Sequence, residues 1–76
     1  MITLDQLPLG QSGIVLQVAG DDAISLRLME MGVVEGTAVE RVGQAPLGDP
    51  LEFAVSGYRL MLRRSEAQRV FVTVQQ

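Results

Sequence analysis

Apolar and polar positions alternate over Ser12–Val18, with Ile14, Leu16 and Val18 on one side and Val15 and Gln17 on the other, the period of a half-buried strand. The period then changes. Ile24, Leu28 and Met31 recur at i, i+4 and i+7, which predicts a helix over residues 23–31 with these three as its buried stripe. Ala23 and Leu26 flank the stripe, and Arg27 and Glu30 face water. Gly20-Asp21-Asp22 ends the strand, and an aspartate there caps the helix and meets the positive end of its dipole. Gly32 falls where a helix needs a left-handed residue to stop, a conformation that costs a residue with a Cβ about 1–2 kcal/mol. Gly36 occupies the last position of a tight turn over residues 33–36. The rest of the chain has to pack around this helix-to-strand corner.

Residues 37–44 form the second strand, and its apolar anchors Val39 and Val42 lie three apart, which a strict two-residue period does not allow without a bulge or bend. Residues 45–50 carry two prolines and a Gly-Asp and read as a loop. Leu51, Phe53 and Val55 then alternate with Glu52 and Ala54. Ser56-Gly57 is a two-residue hairpin connector into residues 58–63, where Leu60 and Leu62 point inward and Arg59, Met61 and Arg63 outward. Residues 65–68 suit one capped turn, and residues 69–74 close the chain with Val70, Val72 and Val74 inward, Phe71 and Thr73 outward. At the other end Thr3 caps a turn over residues 4–7 that aims Leu4 and Leu7 at one end of the core. The pattern is mainly β: five strands, with one helix between the first and second. Strands this short bury a core by curling into a small barrel, which removes the sheet edges and lets the helix cross one open end. A single turn before the last strand suits an SH3-like barrel.

Composition changes the picture mainly by exclusion. Seventy-six residues allow one domain, residues 1–76. At 47% hydrophobic and 20% charged the chain is globular, not disordered. It has no cysteine and no histidine, which rules out disulfides, thiolate metal sites and any histidine-based triad or switch. A formal charge of −3 without a single lysine is the wrong sign for nucleic acid or for a polybasic membrane anchor. No apolar run approaches the ~20 residues of a membrane span. The N-terminus lacks the basic and apolar regions of a signal peptide, which favours the cytosol.

No enzyme motif is present. The Walker phosphate loop is missing, Gly10-Gln11-Ser12-Gly13 matches one only in glycine content, and the serines have no histidine to activate them. A transition-metal ion would have to be held by carboxylates alone. Asp21-Asp22, the densest acidic pair, is already accounted for as a cap, and Glu30, Glu35 and Glu40 are scattered over three elements. We therefore expect no catalytic residue, no metal ligand and no cofactor. What remains is a binding surface. Met61 and Phe71 take outward strand positions, Leu47 sits at a loop tip, and Met29 lies beside the helix stripe. Clustered, they make an apolar partner site; otherwise Met61 and Phe71 pack a second small core. Arg59, Arg63, Arg64 and Arg69 crowd the last third of an acidic chain, either as a solvated face or toward an acidic partner.

The order Leu4-x-x-Leu7, Gly13-x-Val15, Arg27-Leu28-x-Glu30-Met31-Gly32-Val33, Gly36-x-x-Val39, Pro46-Leu47-Gly48-Asp49-Pro50, Gly57-Tyr58 and Leu60-x-Leu62-Arg63 resembles the FeoA family over almost the entire chain. The segments at residues 27–36 and 46–50 are the specific ones. One departure is Glu35, where the family usually has a proline that pre-sets the turn. The resemblance implies a small SH3-like protein of bacterial ferrous iron uptake, a non-enzymatic partner of FeoB, a membrane iron permease with a cytosolic GTPase domain. It implies a cytoplasmic protein, peripheral at the inner membrane through FeoB. The expected contacts are Leu47, Met61 and Phe71 with Arg59 and Arg63 around them; Gly32 and Gly36 are structural turn positions. Two alternatives stand beside this reading. One is a metal- or ligand-responsive module, since the same barrel occurs in iron-dependent repressors. The other is a self-associating module in which the apolar patch closes a homo-oligomer.

Overall fold

The computed structural model describes residues 1–75. Its elements are β1 (Ile2–Thr3), a 3-10 turn (Leu4–Gln6), β2 (Ser12–Val18), α1 (Ala23–Glu30), β3 (Ala38–Gln44), β4 (Leu51–Val55), β5 (Tyr58–Leu62), α2 (Arg64–Ala67) and β6 (Val70–Gln75). All six strands belong to one antiparallel sheet in the order β1-β6-β2-β3-β4-β5. The sequence pattern predicts five strands; the sixth, β1, is two residues long and pairs Ile2 with Val72 and Thr3 with Phe71. The inward faces of these strands share one core with Leu4, Leu7, Leu28, Val33 and Ala67, so the sheet coils around it.

Phe53, Leu51, Val55 and Leu62 are buried as their alternation predicts, and Leu60 nearly so. The β4–β5 hairpin is the tight two-residue type: Ser56 and Gly57 both have positive φ, at 47° and 87°. Leu4 and Leu7 plug the core beneath a turn whose N-cap is Thr3.

Two strands break their period. In β2 the register against β6 shifts between Val15 and Gln17, so Leu16 is a bulge residue. Val15, predicted on the outer side, is fully buried, whereas Leu16 is exposed and Ile14 only half-buried. In β3 the shift falls between Arg41 and Gly43, which makes Val42 the extra residue and leaves it half-buried. Inward parity from Val39 thus passes to Arg41. Near its end β6 leaves the core, and Val74, predicted inward, is exposed.

The corner after α1 is built by backbone geometry. Val33 N–H donates to Leu28 C=O and Gly32 N–H to Met29 C=O, both at 3.0 Å, with Gly32 at φ +94°. This is a Schellman ending, and its hydrophobic contact joins two buried side chains, Leu28 and Val33. The turn that follows is shifted by one residue from the prediction. Thr37 N–H donates to Val34 C=O at 3.1 Å, placing Gly36 (φ +88°) third in the turn and Glu35 second. Gly36 N–H and Thr37 C=O then bond Val15, which pins the corner to β2.

The helix buries less than its pattern predicts. Leu28 and Ser25 are enclosed, Met31 is half-buried, and Ile24 is exposed. A helix of eight residues lying across one end of the core needs only one side chain per turn inside. Asp22 caps it: its carboxylate accepts from Ser25 N–H at 3.2 Å and from Arg69 Nη1 at 2.7 Å.

Candidate functional site

The outer face of β5, the N-cap of α2 that follows it and the loop before β4 hold four of the five predicted contact residues. Arg59 and Met61 alternate on β5, opposite Ala54 and Glu52 of β4. Met61 is 53% exposed. Arg59 makes a loose ion pair with Glu52 at 3.5 Å, solvated enough to contribute little to stability. Arg63 follows as the N-cap residue of α2, where its N–H donates to Glu66 Oε1 at 2.8 Å. Its side chain lines a cleft of about 370 Å³ with Asp49 and Pro50.

Leu47 tops the 45–50 loop and is 98% exposed. The loop is held beneath it. Arg64 Nε donates to Gly48 C=O at 3.0 Å and Arg64 N–H to Asp49 Oδ1 at 2.9 Å. Gly48 N–H also donates to Ala45 C=O at 2.8 Å. An apolar side chain on a pinned loop loses little conformational freedom on contact, which favours its use in binding.

Phe71 stands apart. It pairs with Thr3 and Gln17, is half-buried, and lies on β6, which β2, β3 and β4 separate from β5 in the hydrogen-bonded order. The turn glycines Gly32 and Gly36 do their backbone work at the α1 corner. A Cβ on Gly32 would run into the Tyr58 hydroxyl, which itself donates to Met31 C=O.

Two features escaped the sequence pattern. One is the exposure of Leu26 on α1, at 55%, which extends the apolar surface that the pattern already began at Met29, 45% exposed. Their i, i+3 spacing on the side away from Leu28 was the available signal. The other is Arg41, 8% exposed. Its guanidinium donates to Leu7 C=O at 3.1 Å, Gly43 C=O at 3.4 Å and the Gln44 side-chain oxygen. Inward parity from Val39 could have revealed it.

The Asp22 carboxyl is held below its ordinary value, first by the Ser25 N–H and then by the Arg69 guanidinium. Glu66, nearly buried, pairs with Arg27 and so ties α2 to α1. Among the described residues no group of three acidic side chains is gathered as a metal site would need. A second groove of about 190 Å³ lies between β3, β4 and the β4–β5 hairpin; it is lined by Ser12, Glu40 and Ser56, and Glu40 is its one charged residue. No helix of the described residues is long and apolar enough to cross a membrane.

The family model of the FeoA domain matches residues 2–74. The chain belongs to the FeoA family. A relative from Porphyromonas gingivalis, named as a fusion of Fe(2+) transport protein A with the Fe(2+) transporter FeoB, is 33% identical over 69 residues. That match covers 91% of this chain but only 8% of the fusion protein. The FeoA of Stenotrophomonas maltophilia, solved with zinc and described as a procaryotic SH3 domain protein, is 43% identical with a TM-score of 0.84, over 96% of this chain and 91% of that one. A FeoA-like protein of Clostridium acetobutylicum is 33% identical with a TM-score of 0.91, over 99% and 87%. A manganese-dependent transcriptional repressor shares the fold alone, at 17% identity and TM-score 0.87 over 96% of this chain and 36% of that one. The barrel of this FeoA chain is therefore SH3-like, and its relatives' names attach the family to ferrous iron transport.

Proposed function

We propose that this FeoA chain is a non-enzymatic accessory protein that docks on the cytosolic part of a FeoB-type membrane GTPase and modulates its GTPase or transport cycle. The observation that carries this reading is the relative in which both proteins form one polypeptide. Joining two modules raises their mutual concentration to the millimolar range, which helps only modules that meet. Docking would keep this chain in the cytoplasm, peripheral at the inner membrane. The contact surface we assign is Leu47 and Met61 with Arg59 and Arg63 around them. Phe71 joins it only for a partner that reaches round to β6.

The test is a binding titration with the purified cytosolic part of FeoB. Leu47→Asp and Met61→Asp should each weaken binding at least about tenfold, since each would bury an unpaired carboxylate. Binding equal to wild type by both variants removes this surface. An unchanged rate of GTP hydrolysis at saturating FeoA removes the modulation.

A second reading, a metal-responsive module, draws on the zinc-bound relative. Calorimetry with ferrous, manganous and zinc ions decides it, and absence of heat at millimolar metal rejects it.

A further inference from the structure

The barrel does not close through hydrogen bonds. Strands β1 and β5 end the sheet order, and among the described residues no ladder joins them. Strand β5 therefore has β4 on one side only. The direction of its backbone groups follows from the hairpin. In a two-residue β-hairpin the flanking pair, here Val55 and Tyr58, exchanges hydrogen bonds, and bonded pairs then alternate along the ladder. Leu60 and Leu62 bond β4 next, against Phe53 and Leu51. The N–H and C=O of Arg59 and Met61 must then point away from β4, to the free edge. No loop or side-chain hydrogen bond among the described residues reaches those four groups. Natural edges are usually blunted by proline, a bulge or charged side chains; β5 has no proline and no bulge, and its one charge, Arg59, is paired with Glu52 of β4.

We infer that the free edge of β5 is a strand-addition site for an extended, carboxylate-bearing segment of a partner protein. The inference rests on the reading that the outer face of β5 meets a partner, and it specifies how. Charge selects the occupant. Residues 1–50 carry seven carboxylates against two arginines, and residues 51–76 carry four arginines against two carboxylates. Both of those carboxylates are already engaged, Glu52 by Arg59 and Glu66 by Arg27. Arg63 and Arg64 have no acidic side-chain partner within ion-pair distance among the described residues. An added strand would set alternate side chains beside Arg59, Met61 and Arg63, with the intervening ones along Leu60, the least enclosed core residue at 9%. Carboxylates outward and apolar groups inward match that edge. A second copy of this chain fits it worse, because its own Arg59 and Arg63 would join the same face.

Two probes test this on the full ¹⁵N-labelled chain: the cytosolic part of FeoB, and a capped octapeptide of alternating glutamate and valine with a lysine–valine octapeptide as control. Strand addition slows amide exchange at both Arg59 and Met61 by at least about tenfold at saturation. It also makes Met61→Pro, which removes an edge-facing N–H and no bond to β4, bind at least about tenfold worse than Met61→Ala. FeoB bound at saturation with both amides exchanging as in the free chain overturns the inference and leaves the FeoB reading intact. Protection by the glutamate peptide without any FeoB binding keeps the edge and discards FeoB. Neither probe protecting the amides overturns the inference, and so does equal binding of the lysine peptide. Protection that grows with the chain's own concentration assigns the edge to a second copy and overturns the partner. The exchange measurement on wild type stands even if Met61→Pro does not fold.

Discussion

Arg41 is a cation inside a core with no carboxylate in ion-pair reach among the described residues, and that makes a quantitative prediction. Its donors satisfy Leu7 C=O, Gly43 C=O and Gln44, so the side chain joins the N-terminal lead-in to the bulge of β3. Replacing it with methionine keeps most of the stem but orphans the Leu7 carbonyl, which is buried. Gly43 and Gln44 are only partly covered and recover water. An unsatisfied buried acceptor costs about 1–3 kcal/mol. Freeing the guanidinium from its own desolvation offsets part of the lost bonds, so we expect Arg41→Met to cost about 1–2 kcal/mol. Arg41→Ala also removes two packed methylenes at about 0.8 kcal/mol each, for a total near 3 kcal/mol. For a domain of this size that lowers Tm by roughly 12–24 °C, with Arg41→Met about half as severe. Urea unfolding followed by far-UV circular dichroism reads both, as a shift in midpoint at constant slope. Arg41→Met within about 0.5 kcal/mol of wild type would refute the claim that the Leu7 carbonyl depends on this side chain.

Two further outcomes follow from the corner and the cap. Gly32→Ala should cost at least about 1–2 kcal/mol from its left-handed φ, and part of any excess should vanish in a Tyr58→Phe background, where the hydroxyl in the way is gone. Strict additivity of the two substitutions in unfolding measurements would mean that Tyr58 does not constrain position 32. For Asp22 the folded-state carboxyl titrates below its ordinary 3.8, so its stabilisation is fully present above that value and is lost as pH falls through the lowered one. Wild type should therefore exceed Asp22→Asn in urea midpoint near neutral pH, and the gap should close as the pH drops below about 4; a gap that does not change with pH contradicts the assignment.

The parts of the fold written in one unbroken period were readable from sequence. Leu51, Phe53 and Val55 alternate without interruption into Ser56-Gly57, and the structure buries all three. The parts that misled are those where one inserted residue reverses parity. Val15 and Arg41 keep the inward parity of Gly13 and Val39, and the bulge residues Leu16 and Val42 that follow them exchange the faces from there on, so the apolar positions at and beyond each bulge pointed to the wrong side. The bend in β3 was legible from the spacing of its valines; the bulge in β2 left no such mark, since Ile14, Leu16 and Val18 alternate well. Helix α1 misled for another reason. Five of its eight positions are apolar and spread round the helix, so several stripes fit, and tertiary placement chose Leu28 and Ser25 over Ile24. For the candidate surface, outwardness was legible at Met61 and Leu47, whereas the strand that carries Phe71 is placed by the strand order, which no local pattern encodes.

Exposure alone does not distinguish β5 from α1, since Leu26 and Met29 are as open as Met61. The exposure of α1 has a sufficient cause within the fold. An eight-residue helix ending in a Schellman corner meets its packing requirement through Leu28 and Val33 and leaves its remaining apolar positions outside. Apolar contact of that kind is non-directional and sets no register. At β5 the apolar side chain sits among groups that do: two free N–H donors and two free C=O acceptors, fixed by a hairpin whose inward residues are locked in the core, with the exposed Arg63 just beyond them. Specific recognition needs such oriented polar groups around a desolvated centre. Strand β5 has both parts; the outer face of α1 has only the apolar one.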